Sequence, residues 1–187
     1  MTRIISWGAG ILGAAIAVTA ASSRLHGRGA TINKRTFLTF SAPVQVPGAT
    51  LPAGTYVFRI ANPAVQTVWQ VFDAYERHVL AQFFFVPTAD RTVQEQNRAH
   101  GKPVVRFHET PPGVAPPVKV LYYPTNPAGY VFLYPRVQAE QIAALTHQPV
   151  LATNSDPTKS SLAHVMTVQP ADAASQAIES GETVPLT

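Results

Sequence analysis

The sequence predicts a mainly β protein, either an antiparallel sandwich or a partly closed barrel of about seven strands with one C-terminal helix. Short apolar runs alternate with Pro- and Gly-rich punctuation through the middle of the chain, the pattern of consecutive strands and turns. Every aromatic residue except Trp7 falls between Phe37 and Tyr134, and large aromatics supply most of the area that a core buries. Several runs alternate apolar and polar residues, so one face of each strand can meet a core while the other meets water. Of the two architectures, the sandwich is slightly preferred.

Residues 36–40 (TFLTF) read as the first strand. Residues 42–46 continue it or form a short edge strand, and Pro43 favours the edge because it cannot donate to a ladder. Pro47-Gly48 and Leu51-Pro52-Ala53-Gly54 are turn signals. In residues 55–60, Tyr56, Phe58 and Ile60 point inward and Thr55 and Arg59 outward. Residues 65–72 and 77–86 flank Asp73-Ala74-Tyr75-Glu76, a spacing that suits a hairpin. Phe83-Phe84-Phe85 has no alternation, so both of its faces should be covered. Residues 88–103 form a long polar loop. Residues 104–108, 118–123 and 130–134 complete the strands, the last two as a second hairpin. Pro135 can occupy a first helical turn. Val137, Ala139, Ile142, Ala143 and Leu145 then give a helix an apolar face, ended by His147-Gln148-Pro149. Residues 150–152 either add a final strand or lie along the barrel rim.

The 187 residues include no Cys, and 46% are hydrophobic. The apolar fraction excludes wholesale disorder. The missing Cys excludes disulfide scaffolds, thiolate metal sites, thiol nucleophiles and a lipoprotein signal. Residues 4–21 carry no charge, follow Arg3 and end in small residues (Val18-Thr19-Ala20, Ala21-Ser22-Ser23). This is the pattern of a secretory signal peptide, expected at 1–22 with cleavage near Ala20. An uncleaved membrane anchor is the alternative. The expected organisation is a linker at 23–32, a β domain at 33–152 and a disordered tail at 153–187. The tail lacks aromatics and is rich in Ser, Thr, Asp and Ala; residues 163–166 or 171–178 could form a transient helix. The Lys and Arg residues of the middle region are scattered, apart from Lys34-Arg35, which argues against a nucleic-acid-binding stripe.

The run Phe40-Ser41-Ala42-Pro43-Val44-Gln45-Val46-Pro47-Gly48-Ala49-Thr50-Leu51-Pro52-Ala53-Gly54-Thr55-Tyr56 resembles the opening of a group of exported bacterial single-domain β proteins. They are similar further on, with a His-Glu before Pro-Pro-Gly and a Tyr-Pro leading into a terminal helix. The group has no established activity, so the resemblance implies a fold and export and supplies no catalytic residue.

Among chemistry-bearing residues, His78, His108 and Glu109, with Glu76 nearby in sequence, are the metal or catalytic candidates, since imidazole and carboxylate can hold a divalent cation. On a continuing strand His108 and Glu109 point to opposite faces, and H-x-H, H-E-x-x-H and H-x-x-E-H are all absent. The plainer reading is a surface His and a strand-terminal carboxylate. Ser41 is the only Ser of the folded body, no G-x-S-x-G surrounds it, and no phosphate loop occurs. The binding candidates are Trp69, Tyr122, Tyr123, Tyr130 and Tyr134, a set that could stack a sugar or grip a protein; the plainer reading is a β core with wet rims. The expected function is therefore that of an exported, non-enzymatic binding or structural module, periplasmic or extracellular, with no cofactor and an unidentified protein or glycan partner. Self-association through an edge strand is open, with residues 42–46 as the expected edge. Membrane association is expected only if the N-terminal segment is retained. The alternative is a metal-dependent or hydrolytic enzyme using His78, His108 and Glu109.

Overall fold

The computed structural model describes residues 18–21, 35–61, 67–88, 101–123 and 128–170. Its strands are β1 (Val18–Ala21), β2 (Thr36–Phe40), β3 (Val44–Val46), β4 (Ala49–Leu51), β5 (Gly54–Ile60), β6 (Val68–Asp73), β7 (Val79–Thr88), β8 (Val104–Phe107), β9 (Val118–Tyr122) and β10 (Gly129–Phe132). They are followed by β11 (Tyr134–Pro135), the helix α1 (Arg136–Thr146), β12 (Val150–Thr153) and β13 (Val165–Val168).

An eight-stranded sheet of order β1-β2-β5-β6-β7-β10-β9-β8 dominates the fold. All of its neighbours are antiparallel. The sheet curls into a half-barrel, so of the two architectures expected the partly closed barrel is the one formed, and the preference for a sandwich is corrected. The register shifts between Val71 and Phe72 in β6 and between Arg106 and Phe107 in β8. Such bulges bend a strand and increase its twist, which curves one sheet instead of splitting it into two. The β3–β4 hairpin and the β11-β12-β13 sheet with α1 fill the open side.

The concave face holds the main core. Tyr56, Phe58 and Ile60 of β5 all enter it, with Leu38, Phe40, Trp69, Val71, Phe83, Phe85 and Phe132. Phe58 stacks on Phe132 and meets Phe40 edge-on, with centroids 6.4 Å apart in both pairs. Helix α1 contributes Ala139, Ile142 and Ala143. It ends where His147 takes a left-handed conformation at φ 53°, a helix-terminating geometry.

The convex face is covered differently. Phe84, between two core residues, points outward and clusters with Val68 and Leu133 beneath Leu151 and Ala163. The amide of Gln70 donates to Gln82, whose own amide donates to the Pro157 carbonyl at 2.8 Å. Thr67 donates to the Ser161 carbonyl. Residues 157–163, expected within a disordered tail, thus lie over this face, while Val168 and Met166 further on pack into the main core. Val165–Val168 is a strand paired with Val150–Thr153, not part of a helix. A segment poor in apolar residues orders here because backbone and side-chain hydrogen bonds carry it across the sheet. The rest of the expected tail, residues 171–187, lies outside the described residues.

Residues 42–46 are not a free edge. Gln45 donates from its backbone to the Pro116 carbonyl and from its amide to the Ala115 carbonyl. The Tyr134 hydroxyl reaches the Gln45 carbonyl at 3.3 Å. Of the expected leader, only Val18–Ala21 is among the described residues, and it pairs with β2 from Val18 opposite Phe40 to Ala21 opposite Phe37. The rest of 1–22, the linker at 23–32 and most of the long loop, residues 89–100, lie outside them.

Candidate binding cleft

The aromatic candidates separate into an assembled group and two outliers, and none forms an exposed platform. Trp69, Tyr123 and Tyr130 come together. Trp69 stacks on Tyr123 with centroids 6.1 Å apart and planes 7° from parallel, and both meet Tyr130 edge-on. Trp69 and Tyr130 are buried, and Tyr123 packs against the same core. The Trp69 Nε1 and the Tyr123 hydroxyl are buried without a hydrogen-bond partner of good geometry among the described residues, although Thr36 neighbours the hydroxyl. Burial pushes the Tyr123 hydroxyl far above the usual tyrosine range.

Tyr122 points to the opposite face, in a small cluster with Val120, Val104 and Val131, as strand alternation requires. Tyr134 sits fully buried, donating to the Val118 carbonyl at 2.7 Å. Burial raises its hydroxyl well above the usual range, and that hydrogen bond opposes the shift in part. Rings that bring this much area are drawn inside before they can serve a surface. The expected stacking platform is therefore corrected to a core.

His78, His108 and Glu109 do not converge. His78 is exposed at the β6–β7 turn, 3.1 Å from an Asp73 oxygen. His108 is buried after β8, its ring edge-on to Tyr134 and its Nδ1 without a partner among the described residues. Burial first, and the Lys119 charge second, hold it down at about 4, so it is neutral at physiological pH. Glu109 is exposed. No group of three or more His, Asp or Glu among the described residues is placed to hold a metal ion. The metal grouping of His78, His108 and Glu109 is corrected accordingly: one ring is in water and one is in the core.

The cleft that does form lies where four distant segments meet, and it measures about 410 Å³. Its walls are the Pro47-Gly48 turn, Gln82 to Phe84 of β7, Leu133 with the start of α1 at Pro135 to Val137, and the loop Thr153 to Pro157. Gln138 fixes the first wall to the third. It accepts from the Gly48 amide at 2.8 Å and donates to the Val46 carbonyl at 3.1 Å. Gly48 can turn there because its φ of 81° lies in the left-handed region. Gln82 holds the fourth wall through Pro157. Ser155 accepts the His164 amide, and Thr153 accepts the Ser155 amide.

The charges on the rim are already occupied. Arg136 bonds Glu140 one turn along the helix at 2.8 Å. Asp156 is held below the usual carboxylate range, first by the Thr158 hydroxyl, then by the Thr158 amide and Lys159, which makes it a weak base. What remains for a visitor is mostly apolar, with Phe84, Leu133, the prolines and exposed Val137, and exposed Asn154 adds a polar group. Volume and lining fall in the range of small-ligand pockets, roughly 300–1,000 Å³ with a few polar groups.

Sequence reading missed this cleft. Its only trace was the unrelieved Phe83-Phe84-Phe85 run, which demanded a cover on the convex side.

No family model, curated protein or solved structure matches this chain. The half-barrel and its cleft therefore stand on their own geometry.

Proposed function

We propose that this chain is an exported binding or structural module that performs no reaction of its own and takes its ligand in the cleft between β7, the start of α1 and residues 153–157. The observation that carries the reading is the cleft itself: a mostly apolar hollow of about 410 Å³ inside a rim whose acid and base are already paired within the chain. Such a rim favours an uncharged or weakly polar occupant, because a charged one would have to displace an existing pair. A short protein segment with apolar side chains or a glycan face meets that description. The uncharged N-terminal run supports export. No helix among the described residues is long and apolar enough to cross a membrane.

Heteronuclear NMR against panels of short peptides and oligosaccharides tests the reading. Binding is expected to shift the Gln82, Val137 and Ser155 amides and to weaken in Val137→Asp, whose exposed position lets the fold survive. Shifts confined to other surfaces sink the cleft. Metal-dependent turnover that disappears in His108→Ala sinks the non-enzymatic reading. N-terminal sequencing of the secreted protein tests export.

A further inference from the structure

The β6–β7 hairpin end carries Tyr75, Val79 and Leu80, three of the six large hydrophobic side chains exposed among the described residues. They share a side. Val79 lies opposite Phe72, which faces away from the core that Val71 enters, so Val79 is on the convex face. Leu80 precedes Ala81, a core residue, and so also faces outward. The bulge at this point removes the alternation that would have hidden one of the pair.

Cations surround this apolar patch. Arg59 lies over the Phe72 ring at 4.2 Å, Arg35 over Phe37 at 4.8 Å and Arg77 over Tyr75 at 4.9 Å. Glu76 bridges Arg35 and Arg59, and Asp73 holds Arg77 and His78. The two acids lie lower than the groups they hold. Their side chains are 22% and 25% exposed, against 67% for Arg77 and about 40% for Arg35 and Arg59. Three guanidinium groups against two carboxylates leave the patch ringed by one net positive charge, with the cations on the more exposed side chains and Tyr75 78% exposed.

We propose that this hairpin end docks on an anionic lipid surface. Val79 and Leu80 would enter the headgroup boundary, Tyr75 would lie at its level, and Arg35, Arg59 and Arg77 would face the lipid charges. The inference is independent of the cleft, which shares strand β7 with the hairpin but none of the patch residues. It also differs from anchoring by the N-terminal run, because it needs only folded residues.

Flotation of the full chain with phosphatidylcholine vesicles, with and without phosphatidylglycerol, tests it. Binding is expected only with phosphatidylglycerol and should fall as salt rises. The triple variant Tyr75→Ser, Val79→Ser, Leu80→Ser should lose binding about tenfold, and Arg77→Glu a similar amount, with unchanged melting temperatures. The N-terminal run is the same in all three chains, so the difference reports the hairpin. Equal binding by the variants, or binding indifferent to phosphatidylglycerol, overturns the proposal. Retention on heparin without vesicle binding also overturns it, in favour of a soluble polyanion.

Discussion

On the concave face of the sheet, aromatic rings from distant strands interlock: Phe58 on Phe132, Phe83 on Phe132, Trp69 on Tyr123. On the convex face, a polar chain runs from Gln70 through Gln82 to the Pro157 carbonyl, and the dry groups are small, one around Phe84 and one around Tyr122. One face is closed by area removed from water, the other by directed hydrogen bonds that hold a mostly polar segment in place. The two kinds of closure differ in strength. Burial of a ring contributes several times more than one net hydrogen bond. The convex cover should therefore open locally while the concave core persists.

Substitution inside the core is the strongest test of that difference. Phe58→Ala is expected to cost about 3–5 kcal/mol, measured by urea unfolding, because Phe58 is completely buried among rings that cannot collapse onto the space. A cost near 1 kcal/mol would remove the distinction between the faces.

The second effect is acid sensitivity at His108. With its folded value near 4 and an unfolded value of about 6.5, only the unfolded chain binds this proton in between. Stability is unaffected above that window and falls as pH drops through it, by at most about 3 kcal/mol. His108→Leu should flatten that part of the pH–stability curve relative to the parent. Parallel curves would mean that His108 reaches water.

Gly129 tests the margin of the convex side. A methyl group there would sit 2.5 Å from Tyr122 Cε1, and that ring is confined with Val104 and Val131. Gly129→Ala is expected to cost about 1–3 kcal/mol by thermal or urea unfolding. The smallest effect belongs to the polar cover. Gln82→Ala should lower global stability by about 1 kcal/mol. Its clearer signature is faster amide hydrogen exchange at the Ser155 and His164 amides with β5 and β6 unchanged.

Much of the concave face was legible in the sequence. Tyr56, Phe58 and Ile60 alternate with polar or smaller neighbours and point where period two requires. The hairpin at Asp73 to Glu76 and the helix after Pro135 were marked by local chemistry. The half-barrel was less legible, since the bulges at Val71/Phe72 and Arg106/Phe107 have no residue signature. The convex cover was not legible. Residues 153–168 read as tail because composition measures apolar content and not the carbonyls a Gln can reach. The candidate site failed for a related reason. Parity correctly set Tyr122 and Tyr123 on opposite faces, but could not say that both faces were closed. The cleft draws on Gly48, Phe84, Arg136 and Ser155, which only the folded topology makes neighbours.

The pairing of Val18–Ala21 with Thr36–Phe40 bears on the order of events after synthesis. On the export reading, the small residues a leader-removing protease would recognise are the same four that seal the sheet's margin. A protease that grips its substrate in extended form needs their backbone free, so zipping and trimming compete for one tetrapeptide. A chain trimmed first would mature with the Thr36–Phe40 backbone bare along one flank, whereas a chain that zipped first would shield its own processing site.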